Sequence, residues 1–200
     1  MAEPHAEMAR TPARRKAILD AALVEFNAHG VAGASIEDIR RRSGTSVGSI
    51  YHHFGGKDGI AGALYLDGLS DYQEGFIGVV EGAKSARASV QEGVRQHVRW
   101  IHAHRDLARF LLLGRDARVV VATEREVRSQ NRRFFSRVEG WARPWVRAGE
   151  LREVQPELLV ALWIGPSQEL ARHWLAGRPR NSLTEAAPAL ADAACRCLIP

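Results

Sequence analysis

The sequence predicts an all-α fold, with an N-terminal three-helix helix-turn-helix domain followed by a larger C-terminal helical domain. Three observations favour it: apolar residues recur at the 3.6-residue helical period, short loops separate these stretches, and alternating β-branched runs bounded by turns do not occur. Hydrophobic residues make up 46% and charged residues 26% of the 200 positions. This composition excludes a wholly disordered chain, a collagen-like repeat and a disulfide-rich miniprotein.

The first helix is predicted to follow a flexible arm formed by residues 1–10. Thr11-Pro12 is a typical helix start, an N-cap hydroxyl followed by proline at the first helical position. Gly30 stands where glycine commonly ends a helix. Between them, apolar residues repeat at i, i+4 and i+8 and predict a stripe that faces the core: Ile18, Ala22 and Phe26.

Two short helices are predicted next, joined by a tight turn that contains glycine. Ser35 with Asp38 three residues later is a capping box, and Ser43-Gly44 ends that helix within about two turns. Thr45-Ser46 opens the third helix, and Gly55-Gly56 closes it after Phe54. This arrangement is a helix-turn-helix, predicted at about residues 35–54 within a domain of residues 11–58.

The remaining residues, 59–200, are predicted to form the larger helical domain. Pro144 and Pro166 fall inside two of its helices, and each is expected to kink its helix or end it early because proline lacks a backbone donor. The predicted helical spans are 57–81, 85–103, 105–114, 122–147, 155–177 and 182–198.

Net charge does not by itself indicate a nucleic-acid partner. The chain carries a net charge of +5. Residues 1–60 nevertheless hold eight Lys and Arg against seven Asp and Glu, so most of the positive excess lies outside the helix-turn-helix domain. An argument for DNA binding must therefore come from the local arrangement of residues.

The predicted third helix has two unlike faces. Ile50 and Phe54 share one face and can anchor the helix on the first helix. The other side, which is small and rich in hydroxyl groups, carries Ser46, Gly48, Ser49 and His52. Such a face fits a DNA major groove, which is about 12 Å wide. The pattern alone equally allows a helical corner whose small residues only permit tight packing.

Residues 35–60 resemble the DNA-binding segment of the TetR (tetracycline-repressor) family. The most diagnostic part is the string Ser-x-Gly-Ser-Ile-Tyr-x-His-Phe-x-x-Lys, which spans residues 46–57. Close resemblance covers about residues 11–65, and beyond that only chain length and helical architecture match. The resemblance implies that the chain is a DNA-binding regulator.

The resemblance also implies a role for each matched position. Ser35 would cap the second helix and contact a phosphate, Ser46 would cap the third, and Lys57 would bind a phosphate at the start of the fourth helix. Base edges would be contacted by Val47, Gly48 and Ser49, and the sugar-phosphate backbone by Tyr51, His52 and His53. Periodicity alone would bury Val47 beside Ile50, whereas the family plan turns Val47 outward, and we adopt the family plan.

Three positions depart from the family pattern: Arg40, where alanine is usual, Thr45 and Gly59. Arg40 begins the run Arg40-Arg41-Arg42, which can either contact the DNA backbone or form a solvated helix face. The outward side of the third helix has no Arg, Asn or Gln for bidentate base contacts. Specificity is therefore expected to depend on apolar and hydroxyl contacts, on Glu37 or Asp38, and on DNA shape. Arg10 in the arm is a candidate for the minor groove.

For the C-terminal domain, the resemblance implies a pocket for a small-molecule effector. All five tryptophans lie in this domain. Aromatic residues at helical spacing are also typical of an ordinary core, and that alternative stays open. The candidate pocket residues are Trp100, His104, Phe110, Trp141, Trp145 and Trp163.

The last two predicted helices are the candidate dimer surface, because they share a broad apolar face. Packing of this face against the rest of the same chain is the alternative. A two-fold dimer would present two recognition helices to a palindromic operator. The candidate interface residues are Leu158, Leu162, Trp163, Pro166, Leu170, Leu190 and Ala194.

The sequence carries no recognisable enzyme, metal or membrane signature. It has no HExxH, GxSxG or GxxxxGK[ST] motif, and Cys195 and Cys197 lack further zinc ligands. No apolar stretch approaches the roughly 20 residues that cross a bilayer, and the N-terminus has no secretory signal, so a cytoplasmic location is expected. We expect a dimeric, ligand-responsive repressor that binds double-stranded DNA, without metal or cofactor. The alternative is a helical small-molecule-binding protein or enzyme whose helix-turn-helix is vestigial.

Overall fold

The computed structural model describes residues 4–114, 116–178 and 182–200, and these residues contain helices and no strand. The all-α prediction is confirmed. The helices are α1 (Pro4–Gly33), α2 (Ile36–Ser43), α3 (Val47–Phe54), α4 (Lys57–Glu81), α5 (Ala86–Ala103), α6 (Arg105–Leu113), α7 (Ala117–Arg147), α8 (Pro156–Leu175) and α9 (Leu183–Leu198).

Helices α1 to α3 pack with the first two turns of α4 into a small unit, which we call the head. The predicted stripe on α1 faces its core: Ile18 and Ala22 are fully buried. Ile39 from α2, Ile50 from α3 and Ile60 from α4 meet this stripe. The head core extends to Leu64, so the predicted domain boundary after residue 58 falls inside the continuous helix α4.

Helix α1 begins earlier than the sequence analysis predicts. Helical backbone starts at Pro4, so residues 4–10 of the predicted arm are part of α1, while residues 1–3 lie outside the described part of the chain. Pro12 therefore lies inside the helix and not at its first position. Gly30, with φ of 69°, interrupts the helix as predicted, and one further turn leads to Gly33.

Helices α4 to α9 form the larger domain around two apolar clusters. One cluster joins α4, α5, α7, α8 and α9 and contains Phe76, Trp141 and Trp163. The other joins α5, α6, α8 and α9 around Trp100 and Ala171. Helix α4 thus belongs to the head at its N-terminal end and to the larger domain along the rest of its length.

One predicted helix boundary in the larger domain is wrong. Helix α7 begins at Ala117 and not at residue 122, because Val119 is buried in the head core and holds that first turn in place. Of the two alternatives for Pro166, an early end is excluded because α8 continues to Leu175, whereas α7 ends at Arg147, three residues after Pro144.

Candidate nucleic-acid interface and ligand cavity

Both ends of helix α3 are fixed by local interactions that the sequence specifies. The side-chain oxygen of Ser46 accepts a hydrogen bond of 3.1 Å from the backbone N–H of Ser49. At the other end, Gly55 has φ of 70° and donates its N–H to the carbonyl of Tyr51 at 2.8 Å. The helix therefore starts and stops at defined residues, which sets the directions of its few side chains.

The outer face of α3 is open to solvent. Ile50 is fully buried, while Val47 is 40% and Tyr51 53% exposed, so the outward orientation of Val47 is confirmed. A Cβ on Gly48 would meet no atom closer than 4.0 Å, so packing inside the chain does not require glycine there. Of the nine residues expected to contact DNA, none is buried: Ser35, Ser46, Val47, Gly48, Tyr51 and His52 are exposed, and Ser49, His53 and Lys57 are half-buried.

The ammonium group of Lys57 also has an internal role. Its Nζ donates hydrogen bonds of 2.8 Å to the carbonyls of Ala32 and Ala34, and so ties the start of α4 to the end of α1. An ammonium has three N–H donors, so one is left for another acceptor. The phosphate contact of Lys57 remains a prediction.

The three arginines of α2 are all paired with carboxylates of the same chain. Arg40 pairs with Glu37 at 2.7 Å, and Arg41 pairs with Asp38. The hydrogen bond from Arg40 lowers the pKa of Glu37, and the hydrogen bond from the Ser35 hydroxyl lowers the pKa of Asp38.

The third arginine differs from the other two because its partner is buried. Arg42 Nε lies 2.8 Å from the carboxylate of Glu25 on α1, which is only 6% exposed. This pair connects α2 to α1. The carboxylates hold all three guanidinium groups in place on the α2 side of the head.

A groove between α1 and the turn joining α2 to α3 contains a residue that the sequence analysis missed. The groove has a volume of about 480 Å³, and Arg14 borders it together with the hydroxyl groups of Thr45 and Ser46. Arg14 is exposed, and no ion pair to it is recorded among the described residues. In the sequence, the only signal that could have placed Arg14 on α1 was its position one turn before the buried Ile18. Arg14 adds a cation beside the outer face of α3.

In the larger domain, helices α4, α5, α6 and α8 line a partly open cavity of about 170 Å³, which we call the main cavity. The phenol of Tyr72 and Nδ1 of His97 share a hydrogen bond of 2.8 Å in its wall. Burial raises the pKa of Tyr72 and lowers the pKa of His97 to about 4. The cavity is lined by Tyr65, Leu69, Tyr72, His97, Trp100, Ile101, Leu111, Leu112, Gln168 and Arg172.

Of the six predicted pocket residues, only Trp100 lines the main cavity. Its indole N–H donates to the carboxylate of Asp71 at 2.7 Å. His104 stacks on Trp100 at 5.0 Å but lies at the junction of α5 and α6, outside the cavity wall. Phe110 stacks with Phe26 in the head core and borders a second cavity, of about 130 Å³.

The assignment of Trp141 and Trp163 to the pocket is wrong, because these side chains are buried in the core, and the half-buried Trp145 does not line the main cavity either. The ring of Trp163 is fully buried, lies against Gly93 and donates its indole N–H to the carbonyl of Val90 at 2.7 Å. Trp141 packs beside Trp163 with ring centroids 4.9 Å apart, and Trp145 packs on the same cluster. The polar cavity residues His97, Gln168 and Arg172 were missed. For His97 alone the sequence contained a signal, because it lies one turn before Trp100 and therefore on the same face of α5.

The predicted dimer surface is partly used inside the chain. Trp163 and Ala194 are each 1% exposed, so they belong to the core and the expectation that they form an interface is wrong. The remaining residues are accessible: Leu158 and Pro166 are exposed, and Leu162, Leu170 and Leu190 are half-buried. An apolar strip along α8 and α9 is therefore still available to a partner.

The described ranges contain no group of three or more His, Cys, Asp or Glu side chains placed to hold a metal ion. None of their helices is both long and apolar enough to cross a membrane.

Together, the capped helix pair in the head and the helical domain with its cavity define the class of helix-turn-helix proteins that carry a separate helical domain. Residues 18–64 match the family model described as "Bacterial regulatory proteins, tetR family". This segment of the chain is thus similar to the DNA-binding domain of that family.

Relatives with curated descriptions are similar in the same region. The HTH-type transcriptional regulator BetI 1 of Chromohalobacter salexigens is 34% identical over 90 residues, which is 45% of this chain and 41% of that protein. HTH-type transcriptional regulator SrpR of Pseudomonas putida is 46% identical over 43 residues, 22% of this chain and 20% of that protein. The matched segment thus spans less than half the length of these relatives.

Solved structures are similar over nearly the whole chain. The transcriptional regulator FadR of Bacillus subtilis, in complex with stearoyl-CoA, superposes with a TM-score of 0.75 at 16% identity, covering 90% of this chain and 96% of that one. A TetR/AcrR-family regulator of Thermobifida fusca gives 0.68 at 23% identity, with 90% and 96% covered. These likenesses establish the fold of the larger domain.

Proposed function

We propose that this chain is a dimeric, cytoplasmic DNA-binding transcriptional regulator, and that it represses by occupying a palindromic operator until a small molecule fills its C-terminal domain. The main support is the outer face of α3. Ile50 holds this helix on the head, while Val47, Gly48 and Ser49 leave a small surface that can enter a major groove.

The surroundings of α3 supply the contacts that position a helix on DNA. Phosphate contacts from cations and hydroxyl groups fix the register of a protein on the duplex. Tyr51 and His52 flank the outer face on one side, and Arg14 with the hydroxyl groups of its groove flanks it on another. Both sets are accessible.

The larger domain supports a ligand response because α4 is shared. Tyr65, Leu69 and Tyr72 of α4 line the main cavity, while Ile60 of the same helix is buried in the head. A molecule that displaces α4 in the cavity would therefore displace the head as well. The apolar strip on α8 and α9 supports a two-fold dimer, which would place two copies of α3 on one operator.

The test is a gel-shift of the full chain against DNA from upstream of its own coding region, at low salt and again at rising salt. We expect a retarded band that weakens steeply with ionic strength, because phosphate contacts release counterions. Absence of a band at low salt over many fragments would overturn the proposal. It would favour a helical small-molecule-binding protein or enzyme with a vestigial helix-turn-helix.

A further inference from the structure

Three polar side chains border the main cavity, and each has at least one polar atom without a recorded partner among the described residues. His97 is 3% exposed, and its Nε2 has no hydrogen-bond partner. Gln168 and Arg172, both half-buried on α8, reach the same cavity, and no side-chain hydrogen bond or ion pair is recorded for either. Buried polar atoms such as His97 Nε2 are normally satisfied, and the side chains of Gln168 and Arg172 border the same space, so this convergence points to a ligand with polar atoms.

The positive charge of Arg172 is not balanced by a neighbouring carboxylate among the described residues. The carboxylate of Glu169, on the same helix, lies 3.0 Å from His173. Asp71 on α4 accepts the indole N–H of Trp100. Neither acid is recorded in contact with Arg172, whose guanidinium is thus left as a half-buried cation beside an apolar cavity. A cation in such a place favours an anionic partner, and a carboxylate matches a guanidinium with two parallel hydrogen bonds.

The remainder of the wall selects for a flat apolar group. Tyr65, Tyr72, His97 and Trp100 contribute rings from two helices. Apart from Gln168 and Arg172, the other lining residues are aliphatic. Aromatic groups favour aromatic neighbours in edge-to-face or offset geometry. The volume of about 170 Å³ is close to that of cavities that hold a single benzene ring, about 150 Å³. A long acyl chain such as that of the stearoyl-CoA bound by the FadR neighbour would not fit without a large rearrangement.

We propose that the ligand of the main cavity is a monocyclic aromatic carboxylate, with its ring among Tyr65, Tyr72 and Trp100 and its carboxylate on Arg172. That this ligand is also the effector rests on the proposed function, whereas its binding does not. His97 is a second recognition group: if Tyr72 donates to Nδ1, the neutral ring carries its proton on Nε2 and can donate to a ligand oxygen.

The test is isothermal titration calorimetry on the full chain without DNA, using phenylacetate and its uncharged analogue phenylacetamide. We expect phenylacetate to bind about tenfold or more tightly than the amide, since hydrogen bonds between charged groups exceed neutral ones by that amount. Hexanoate should bind more weakly than phenylacetate because it lacks the ring, and stearoyl-CoA should not bind.

Three variants assign the effect to the cavity. Arg172→Gln should reduce phenylacetate affinity to that of the amide and leave amide affinity within about twofold of the unaltered chain. Arg178→Gln, just beyond the same end of α8 and outside the cavity wall, should keep the preference. Leu69→Trp should fill the cavity and weaken both ligands. Circular dichroism and thermal unfolding verify that each variant is folded.

The proposal is overturned if the unaltered chain binds both ligands equally, if Arg172→Gln keeps the preference, or if only stearoyl-CoA binds. A gel-shift with added phenylacetate distinguishes failure of the ligand assignment from failure of the proposed function. Binding of phenylacetate that leaves the DNA complex intact supports the ligand class and contradicts its role as effector. DNA binding by a chain that binds no aromatic acid contradicts the ligand class and supports the DNA-binding part of the proposed function.

Discussion

Gly59 packs against the main chain of Phe54, and a Cβ built on Gly59 would collide with the carbonyl oxygen of Phe54. Phe54 ends α3, and Gly59 lies in the first turn of α4. The contact therefore sets the angle between the candidate recognition helix and the helix that leads into the larger domain. It also explains why glycine stands here, at a position where the family pattern has a helix-forming residue.

Gly59→Ala is expected to destabilise the head. The Cβ forces the backbone at the α3–α4 junction to move, which costs about 1–3 kcal/mol as in other overpacked sites. The matched control is Gly78→Ala on the same helix, where a Cβ would meet nothing within 4 Å. Alanine there should raise stability by up to about 1 kcal/mol through helix propensity. Urea unfolding of both variants is the measurement, and equal stabilities would contradict the packing argument.

Gly48→Ala separates folding from DNA binding. A Cβ at Gly48 points into open space, so the free energy of unfolding should stay unchanged or rise by up to about 1 kcal/mol. Affinity for the operator should fall, and base preference should change, if the backbone of α3 approaches base edges, with a cost of about 1–3 kcal/mol per lost contact. A gel-shift series with Gly78→Ala as control measures this. Unchanged affinity would mean that Gly48 does not face the groove.

Local chemistry made the head predictable from sequence. The caps Ser35 and Ser46 act on residues three positions away, and Gly44 and Gly55 supply left-handed backbone at the helix ends. Each of these features is complete within a few residues, so its outcome does not depend on the rest of the fold. The orientation of Val47 was different, because helical period alone favoured burial and only the family pattern indicated exposure.

The cavity was not predictable in the same way, because it depends on which helices meet. Trp100 and Trp163 look alike in sequence, yet Trp100 borders the main cavity and Trp163 fills the core against Gly93. Arg172 and His97 lie on different helices, and only the packing of α5 beside α8 brings them to one cavity. No local pattern encodes that neighbourhood.

Lys57→Ala should affect both stability and DNA binding, with different signatures. Loss of the hydrogen bonds to the carbonyls of Ala32 and Ala34 should lower the free energy of unfolding by about 1–3 kcal/mol. Loss of a phosphate contact should weaken binding to all sequences and reduce the slope of log affinity against log salt by about one. Lys84→Ala, an exposed lysine beyond the end of α4, is the control. An unchanged salt slope would restrict Lys57 to its internal role.

Leu158→Arg tests the apolar strip on α8 and α9. Leu158 is 50% exposed, so the chain should fold normally, while a charge within an apolar interface should weaken or dissociate the dimer. Sedimentation velocity is the measurement. Val24→Arg replaces a residue that is 43% exposed on α1, and should leave the dimer intact. A monomeric unaltered chain, or a dimeric Leu158→Arg variant, would contradict this use of the strip.

His97 should make the stability of the larger domain depend on pH. Burial lowers its pKa in the folded chain to about 4, from about 6.5 for an unfolded histidine. Between these values the unfolded chain binds a proton that the folded chain does not, so stability should be full above about pH 6.5 and fall as the pH is lowered towards about 4. At pH 5 the loss should be on the order of 2 kcal/mol relative to pH 7.5. Urea unfolding of the unaltered chain and of His97→Gln at both pH values measures it. The variant should lose the part of the pH dependence that His97 contributes, because glutamine does not titrate, whereas the same pH dependence in both proteins would show that His97 is protonated equally in the folded and unfolded states.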